Sequence, residues 1–173
     1  TVADSASLDV TAITIALWIK AGSVSSTQYL VAKWLPTGDN RAYSLFLNGS
    51  TVVFETSFDG STYNTLNSST SLIASTWYHI AVTFSGTAKV IFINGSSSGN
   101  TSVTGTLRNS NANLTIATVN DGTLADFYEG IIDEVSIYNR ALTADEVKAL
   151  SQRRKDSADI GDSPTVGSEE TVP

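Results

Sequence analysis

The residues best placed to do chemistry in this chain fall in two stretches. In GIIDEVSIYNRALTADEVKAL (130–150), Ile131, Asp133, Val135 and Ile137 occupy every second position, which in a strand puts them on one face. That face is apolar apart from Asp133, so the carboxylate is expected to point inward. A buried acid needs an Arg or Lys partner, backbone N–H donors or a cation, because an unpaired buried charge is costly. The second stretch is Trp34-Leu-Pro-Thr-Gly-Asp-Asn40, which brings an indole, a carboxylate and an amide together, and Tyr63 follows the Asp59-Gly60 turn. Aromatic rings stack on sugar faces, while amides and carboxylates bond sugar hydroxyls. Trp34, Asn40 and Tyr63 are therefore candidate ligand contacts, Trp34 being the one tryptophan placed where it can be exposed; the plainer alternative is a loop that only joins two strands. His79, the one histidine, is ordinarily the kind of strand residue that hydrogen-bonds to its neighbours. With a single His and no Cys, a His- or thiolate-based zinc site is excluded.

The elements that must carry these residues are short strands between turns. Ile13, Ile15, Leu17 and Ile19 alternate with Thr14, Ala16, Trp18 and Lys20, the pattern of a half-buried strand. Residues 29–34 form another. Tyr43, Leu45 and Leu47 alternate into Asn48-Gly49, and residues 52–58 return; Asn-Gly between alternating runs is a strong hairpin signal. Residues 64–71 read as a polar strand or loop. WYHIAVTF (77–84) puts Tyr78, Ile80, Val82 and Phe84 on one face, residues 89–93 follow, and Asn94-Gly95 repeats the hairpin signal. Residues 114–119 and the 130–138 run complete the strands. Thr143 and Glu146 then form a capping box, with Leu142 and Val147 at the positions of a hydrophobic staple, so a short helix starts here. The pattern predicts an all-β fold: a two-sheet antiparallel jelly-roll sandwich with one short C-terminal helix.

Four segments, in order, resemble the laminin-G-like jelly-roll family, part of the wider concanavalin A-like lectin and glucanase superfamily that also holds the pentraxins: ITIALWIKAG, YSLFLNGSTVVFETSFDG, TWYHIAVTFSGTAKVIFING and GIIDEVSIYNRALTADEV. The resemblance spans residues 1 to about 150. It implies a secreted or surface-displayed binding module, often for glycans, with a structural calcium. By the same resemblance the ion would take Asp133, Asp4 or Ser5, and Asp39 or a neighbouring carbonyl, and would tie the first strand to the last. Glucanases of this fold place an E-x-D-x-E-like set on one strand; no strand here carries it, and Asp133 and Glu134, being adjacent, point to opposite faces.

Composition agrees with a binding module and narrows its partners. The 173 residues suit one domain, residues 1–150, followed by a polar stretch, 151–173, with the composition of a linker or tail. The net charge is −7, which argues against nucleic acid as a partner. No apolar run approaches the ~20 residues of a membrane-spanning helix. The five Asn-x-Ser/Thr sequons, at Asn48, Asn67, Asn94, Asn100 and Asn113, mostly fall in turns of a Ser/Thr-rich chain and read as a consequence of composition. The expectation is a non-catalytic, calcium-stabilised, extracellular, cell-surface or virion-surface module for a glycan or surface protein. The alternative is a decoration subunit of a larger assembly or homo-oligomer, anchored through residues 151–173.

Overall fold

The computed structural model describes residues 1–159, with side chains through Arg153. In chain order its strands are β1 (Ile13–Ala21), β2 (Thr27–Leu35), β3 (Asn40–Asn48), β4 (Thr51–Thr56), β5 (Asn64–Ser71), β6 (Trp77–Phe84), β7 (Ala88–Ile93), β8 (Ser96–Ser102), β9 (Leu114–Ile116), β10 (Val119–Asn120), β11 (Leu124–Ala125) and β12 (Gly130–Tyr138), and helix α1 (Ala144–Asp159) follows. They form two five-stranded antiparallel sheets, in the orders β12-β1-β6-β7-β8 and β5-β4-β3-β2-β9, with β10 and β11 as a separate hairpin. The jelly-roll sandwich expected from the alternation is the fold observed.

Alternation explains the core. Ile13, Ile15, Leu17 and Ile19 of β1 and Ile80, Val82 and Phe84 of β6 face Tyr43, Leu45 and Leu47 of β3 and Val52 and Phe54 of β4, all of them buried between the sheets. Asn94 (φ 51) and Gly95 (φ 78) adopt the left-handed backbone that a tight hairpin demands, as does Gly49 (φ 59). The β1 strand, expected to be half-buried, is buried on both faces. The reason is α1 and the turn before it, which pack Val147 and Leu142 onto Ala16, Ala81 and Phe92 on the outer side of that sheet. The capping box forms as read: the Thr143 N–H donates to Glu146 Oε2 at 2.9 Å and the Glu146 N–H donates to Thr143 Oγ1 at 3.3 Å. Arg140 adds a two-pronged pair to the same carboxylate, at 2.8 and 2.7 Å.

Two expectations need correction. The face of β12 is not the simple alternation: Ala16 pairs with Ser136 but Trp18 with Asp133, so β12 carries one extra residue against β1, and Glu134 sits at φ 52. Such a bulge flips every side chain beyond it. Ile132, Val135 and Ile137 consequently pack on the core, while Ile131 is 53% exposed and Asp133 faces solvent. The helix, expected to be short, has 16 residues and runs as far as Asp159, with Ser151 buried against the Gly95 turn. No Gly or Pro occurs between Ala144 and Asp159 to stop it. Residues 160–173, the larger part of the proposed tail anchor, lie outside the described residues.

Candidate functional site

The hairpin registers decide what lies on the outer face of the β5-β4-β3-β2-β9 sheet. Across it, Ala32 pairs with Ser44, Ser44 with Glu55, and Glu55 with Thr65. One step along, Tyr29 pairs with Phe46, their rings stacked at 4.7 Å. Since Tyr43, Leu45 and Leu47 point inward, Ser44 and Phe46 point outward, and Glu55 opposite Ser44 does the same. Next to Phe46 and Glu55, this face opens into a groove of about 340 Å³ lined by Tyr29, Trp34, Pro36, Arg41, Phe46, Glu55, Tyr63, Val119, Asp121 and Asp126. The β10–β11 hairpin supplies Val119 and brings Asp121 and Asp126 to it; the segment after β4 supplies Tyr63.

Tyr63 is held by a rigid turn. Asp59 Oδ1 accepts the N–H groups of Ser61 and Thr62 at 2.9 and 2.8 Å, and its Oδ2 accepts the Thr62 hydroxyl at 2.6 Å. Those donors hold the Asp59 carboxyl down to about 2. The Tyr63 ring stands edge-on to Trp34 at 5.5 Å and is 52% exposed. Arg41 reaches both rings, at 5.8 Å from Trp34 and 5.9 Å from Tyr63, and its Nη1 donates to Ser61 O at 2.6 Å. Glu55 is only 9% exposed. Burial pushes its carboxyl above the usual range, against hydrogen bonds from the hydroxyls of Thr65 (3.2 Å) and Ser44 (3.3 Å). Burial, then the Glu55 charge, lifts the Tyr29 phenol to about 12.

Of the three expected ligand contacts, the structure brings Trp34 and Tyr63 together and leaves Asn40 outside the groove lining. Asn40 instead ties the β2–β3 turn to residues 110–111: its side chain donates to Thr37 O at 3.2 Å and accepts the Asn111 N–H at 3.3 Å, and its carbonyl accepts the Ser110 hydroxyl at 2.7 Å. Trp34, the tryptophan that could have been exposed, is 6% exposed because Ala32 and Val119 pack on it; the open ring is that of Tyr63. Reasoning from sequence missed Tyr29, Arg41, Phe46, Glu55, Asp121 and Asp126. Glu55 and Phe46 were findable, since counting back from the Asn48-Gly49 turn puts both on the outward face; Asp121 and Asp126 were not, since their approach depends on how a separate hairpin folds over the sheet.

The acids assigned to a calcium shell do not assemble. Asp133 lies exposed at the bulge of β12, in the other sheet. Asp4 is taken by a protein cation: the fully buried Lys33 ammonium donates to Asp4 Oδ1 at 2.6 Å, lies 3.4 Å from Asp9 Oδ1, and bonds the carbonyls of Ser110 and Ala112. Asp39 sits at the tip of the β2–β3 turn with φ 55, its carbonyl packed on Gly60. Among the described residues, no three acids or histidines stand close enough to hold a metal between them. These acids do not form a shell for the ion, and the cation that binds the N-terminal acids to the sheet is Lys33.

The fold has known relatives. The solved structures it resembles include the native heptameric SAP-like pentraxin of Limulus polyphemus, at 17% identity and a TM-score of 0.65 over 82% of this chain and 70% of that one. The CBM40 of the Ruminococcus gnavus IT-sialidase, bound to alpha2,3 sialyllactose, is similar at 20% identity and a TM-score of 0.68, covering 82% of this chain and 83% of that one. The binding domain of botulinum neurotoxin serotype G is similar at 14% identity and a TM-score of 0.69, over 90% of this chain but 40% of that one. At these identities the likeness establishes the fold and nothing finer. None of the curated proteins compared with the chain matches it. A family model matches residues 1–148, and by that match the chain belongs to the concanavalin A-like lectin/glucanases superfamily, in its laminin-G-like part.

Proposed function

We propose that this chain is a non-catalytic, extracellular or particle-surface binding module that holds a saccharide in the groove over Phe46 and Glu55. The observation that carries this reading is the half-exposed Tyr63 ring, fixed by the Asp59 turn beside Arg41 and a buried carboxylate, in a groove of about 340 Å³. An aromatic plane offers stacking to a pyranose face, and Arg41, Glu55 and the rim acids offer donors and acceptors to its hydroxyls. Ligand clefts of this kind begin at about 300 Å³. Two similar solved structures, a CBM40 bound to alpha2,3 sialyllactose and a neurotoxin binding domain, support a binding role for the fold.

The non-catalytic part rests on how the reactive-looking groups are used. Glu55 is tied to the hydroxyls of Ser44 and Thr65. The sequence does contain one Gly-x-Ser-x-Gly run, Gly95-Ser-Ser-Ser-Gly99, the spacing of a nucleophile elbow. It forms the β7–β8 hairpin instead, with Ser97 exposed and paired to Phe92 on a strand. His79 is buried on the outer face of the other sheet, edge-on to Trp18. Calcium has no part in this reading. No described helix is long and apolar enough to cross a membrane.

The test is a glycan array followed by titration of hits by isothermal calorimetry, on the protein and on Tyr63→Ala and Arg41→Ala. Loss of binding by roughly ten-fold or more in either variant, with an unchanged melting temperature, is the expected result. Binding that survives both substitutions would place the saccharide elsewhere and refute the groove.

A further inference from the structure

The charges of the groove are unbalanced in a way that a neutral sugar does not require. Its lining holds three carboxylates, Glu55, Asp121 and Asp126, and one cation, Arg41. That cation donates through Nη1 to Ser61 O and lies over the rings of Trp34 and Tyr63, while its Nε has no hydrogen-bond partner among the described residues. Among the described residues, no Lys, Arg or His stands within 4 Å of Glu55, and Lys89 and Arg41 act on it only from beyond that distance; the ion pairs found are Lys33 with Asp4 and Asp9, and Arg140 with Glu146. Glu55 thus lies nine-tenths buried with two hydroxyl donors, at 3.2 and 3.3 Å, where a carboxylate has room for about four. A buried carboxylate so thinly served gains most from a cation that arrives with the ligand.

The rings beside it suit the same cation. Tyr29 and Phe46 stack at 4.7 Å, with Phe46 one pleat from Ser44 and Glu55, and the negative face of an aromatic ring attracts an ammonium. A carboxylate or sulfate on the ligand would meet Asp121 and Asp126 instead. We infer that the groove selects saccharides bearing a free protonated amine, non-acetylated hexosamine units, with the ammonium seated beside Glu55 and a sugar face against Tyr63. This rests on the saccharide reading of the groove and adds the class of saccharide to it. Acetylation removes the positive charge and adds bulk where the cation would sit, so the acetylated sugar loses its advantage.

The experiment compares the glucosamine tetramer, its fully N-acetylated counterpart, a glucose tetramer and tetralysine by calorimetry, at a pH where the sugar amine is protonated. The expected result is at least roughly ten-fold tighter binding of the glucosamine tetramer than of the acetylated one. Glu55→Gln should reduce that preference to about two-fold or less, and Asp126→Asn should reduce it in part; Asp126→Asn provides the reading if Glu55→Gln fails to fold. Equal or tighter binding of the acetylated or glucose tetramer, lost in Tyr63→Ala, overturns the amine preference and leaves the saccharide reading standing. Binding of tetralysine and of no saccharide overturns both, as does binding of nothing. A preference for the glucosamine tetramer that both Glu55→Gln and Asp126→Asn leave unchanged overturns the assignment to this groove.

Discussion

Mild acid should destabilise this protein through its one histidine. His79 is 2% exposed on β6, edge-on to Trp18 at 5.3 Å, and its Nδ1 has no hydrogen-bond partner among the described residues. Burial penalises the imidazolium and pulls the pKa from 6.5 down to about 4. The folded chain therefore keeps a neutral ring at a pH where the unfolded chain has already taken up a proton. Because the folded value lies below the unfolded one, His79's contribution is full above pH 6.5 and is lost as pH falls towards about 4. At ~1.4 kcal/mol for each pH unit, the interval amounts to roughly 3 kcal/mol, or about 6–12 °C in melting temperature for a domain of this size. Glu55 acts in the opposite sense, since its carboxyl titrates above the usual range when folded. The assay is therefore a difference: urea unfolding of the protein and of His79→Phe from pH 7.5 to 4.5, where subtraction cancels Glu55, Asp59 and Glu146. The gap between the two curves should change by roughly 2–3 kcal/mol across that range. Parallel curves would show that the histidine is not held neutral by burial, and would refute the reasoning.

Lys33→Met should cost about 3–5 kcal/mol in urea unfolding, because it strands Asp4, Asp9 and the carbonyls of Ser110 and Ala112 around an apolar side chain. Since Lys33 supplies the cation at the N-terminal acids, thermal scans in calcium and in excess chelator should superimpose; a higher melting temperature in calcium would contradict this assignment. Asp133→Asn, at an exposed bulge, should change stability by less than about 1 kcal/mol. Lys89 is buried beneath the Phe54 ring, its ammonium donating to Asn64 O at 2.5 Å, and burial lowers its pKa to about 8. With the folded value below the unfolded 10.5, stability should rise between pH 8 and 10.5, and Lys89→Met should abolish that rise in the same unfolding assay.

The groove shows how far local pattern reaches. Trp34 and Tyr63 were legible as aromatics near turns, yet only Tyr63 stays open, because exposure depends on what packs above a residue and Val119 reaches Trp34 from a hairpin some eighty-five residues later. Asn40 looked like a sugar contact because its amide has the right groups; in the folded chain those groups close a turn. Arg41 and Glu55 carry no local signature that separates them from ordinary outward-facing strand residues.

The sandwich follows from local pattern. The alternation of β1, β3 and β6, the Asn-Gly turns and the Thr143–Glu146 cap each act through neighbours within a few residues, and all of them form, with only the outer face of β1 more buried than its pattern suggests. Tertiary structure alone decided the face of Asp133, since one extra residue in β12 arises only from its pairing with β1 and reverses the period-two pattern. It likewise decided that the cation beside Asp4 is a lysine twenty-nine residues away, and that Asp121 and Asp126 would meet Glu55 across a groove. Hydrophobic alternation is a local property of the backbone, whereas charge pairing and groove shape depend on contacts between residues far apart in the chain, and those exist only once the sheets have closed.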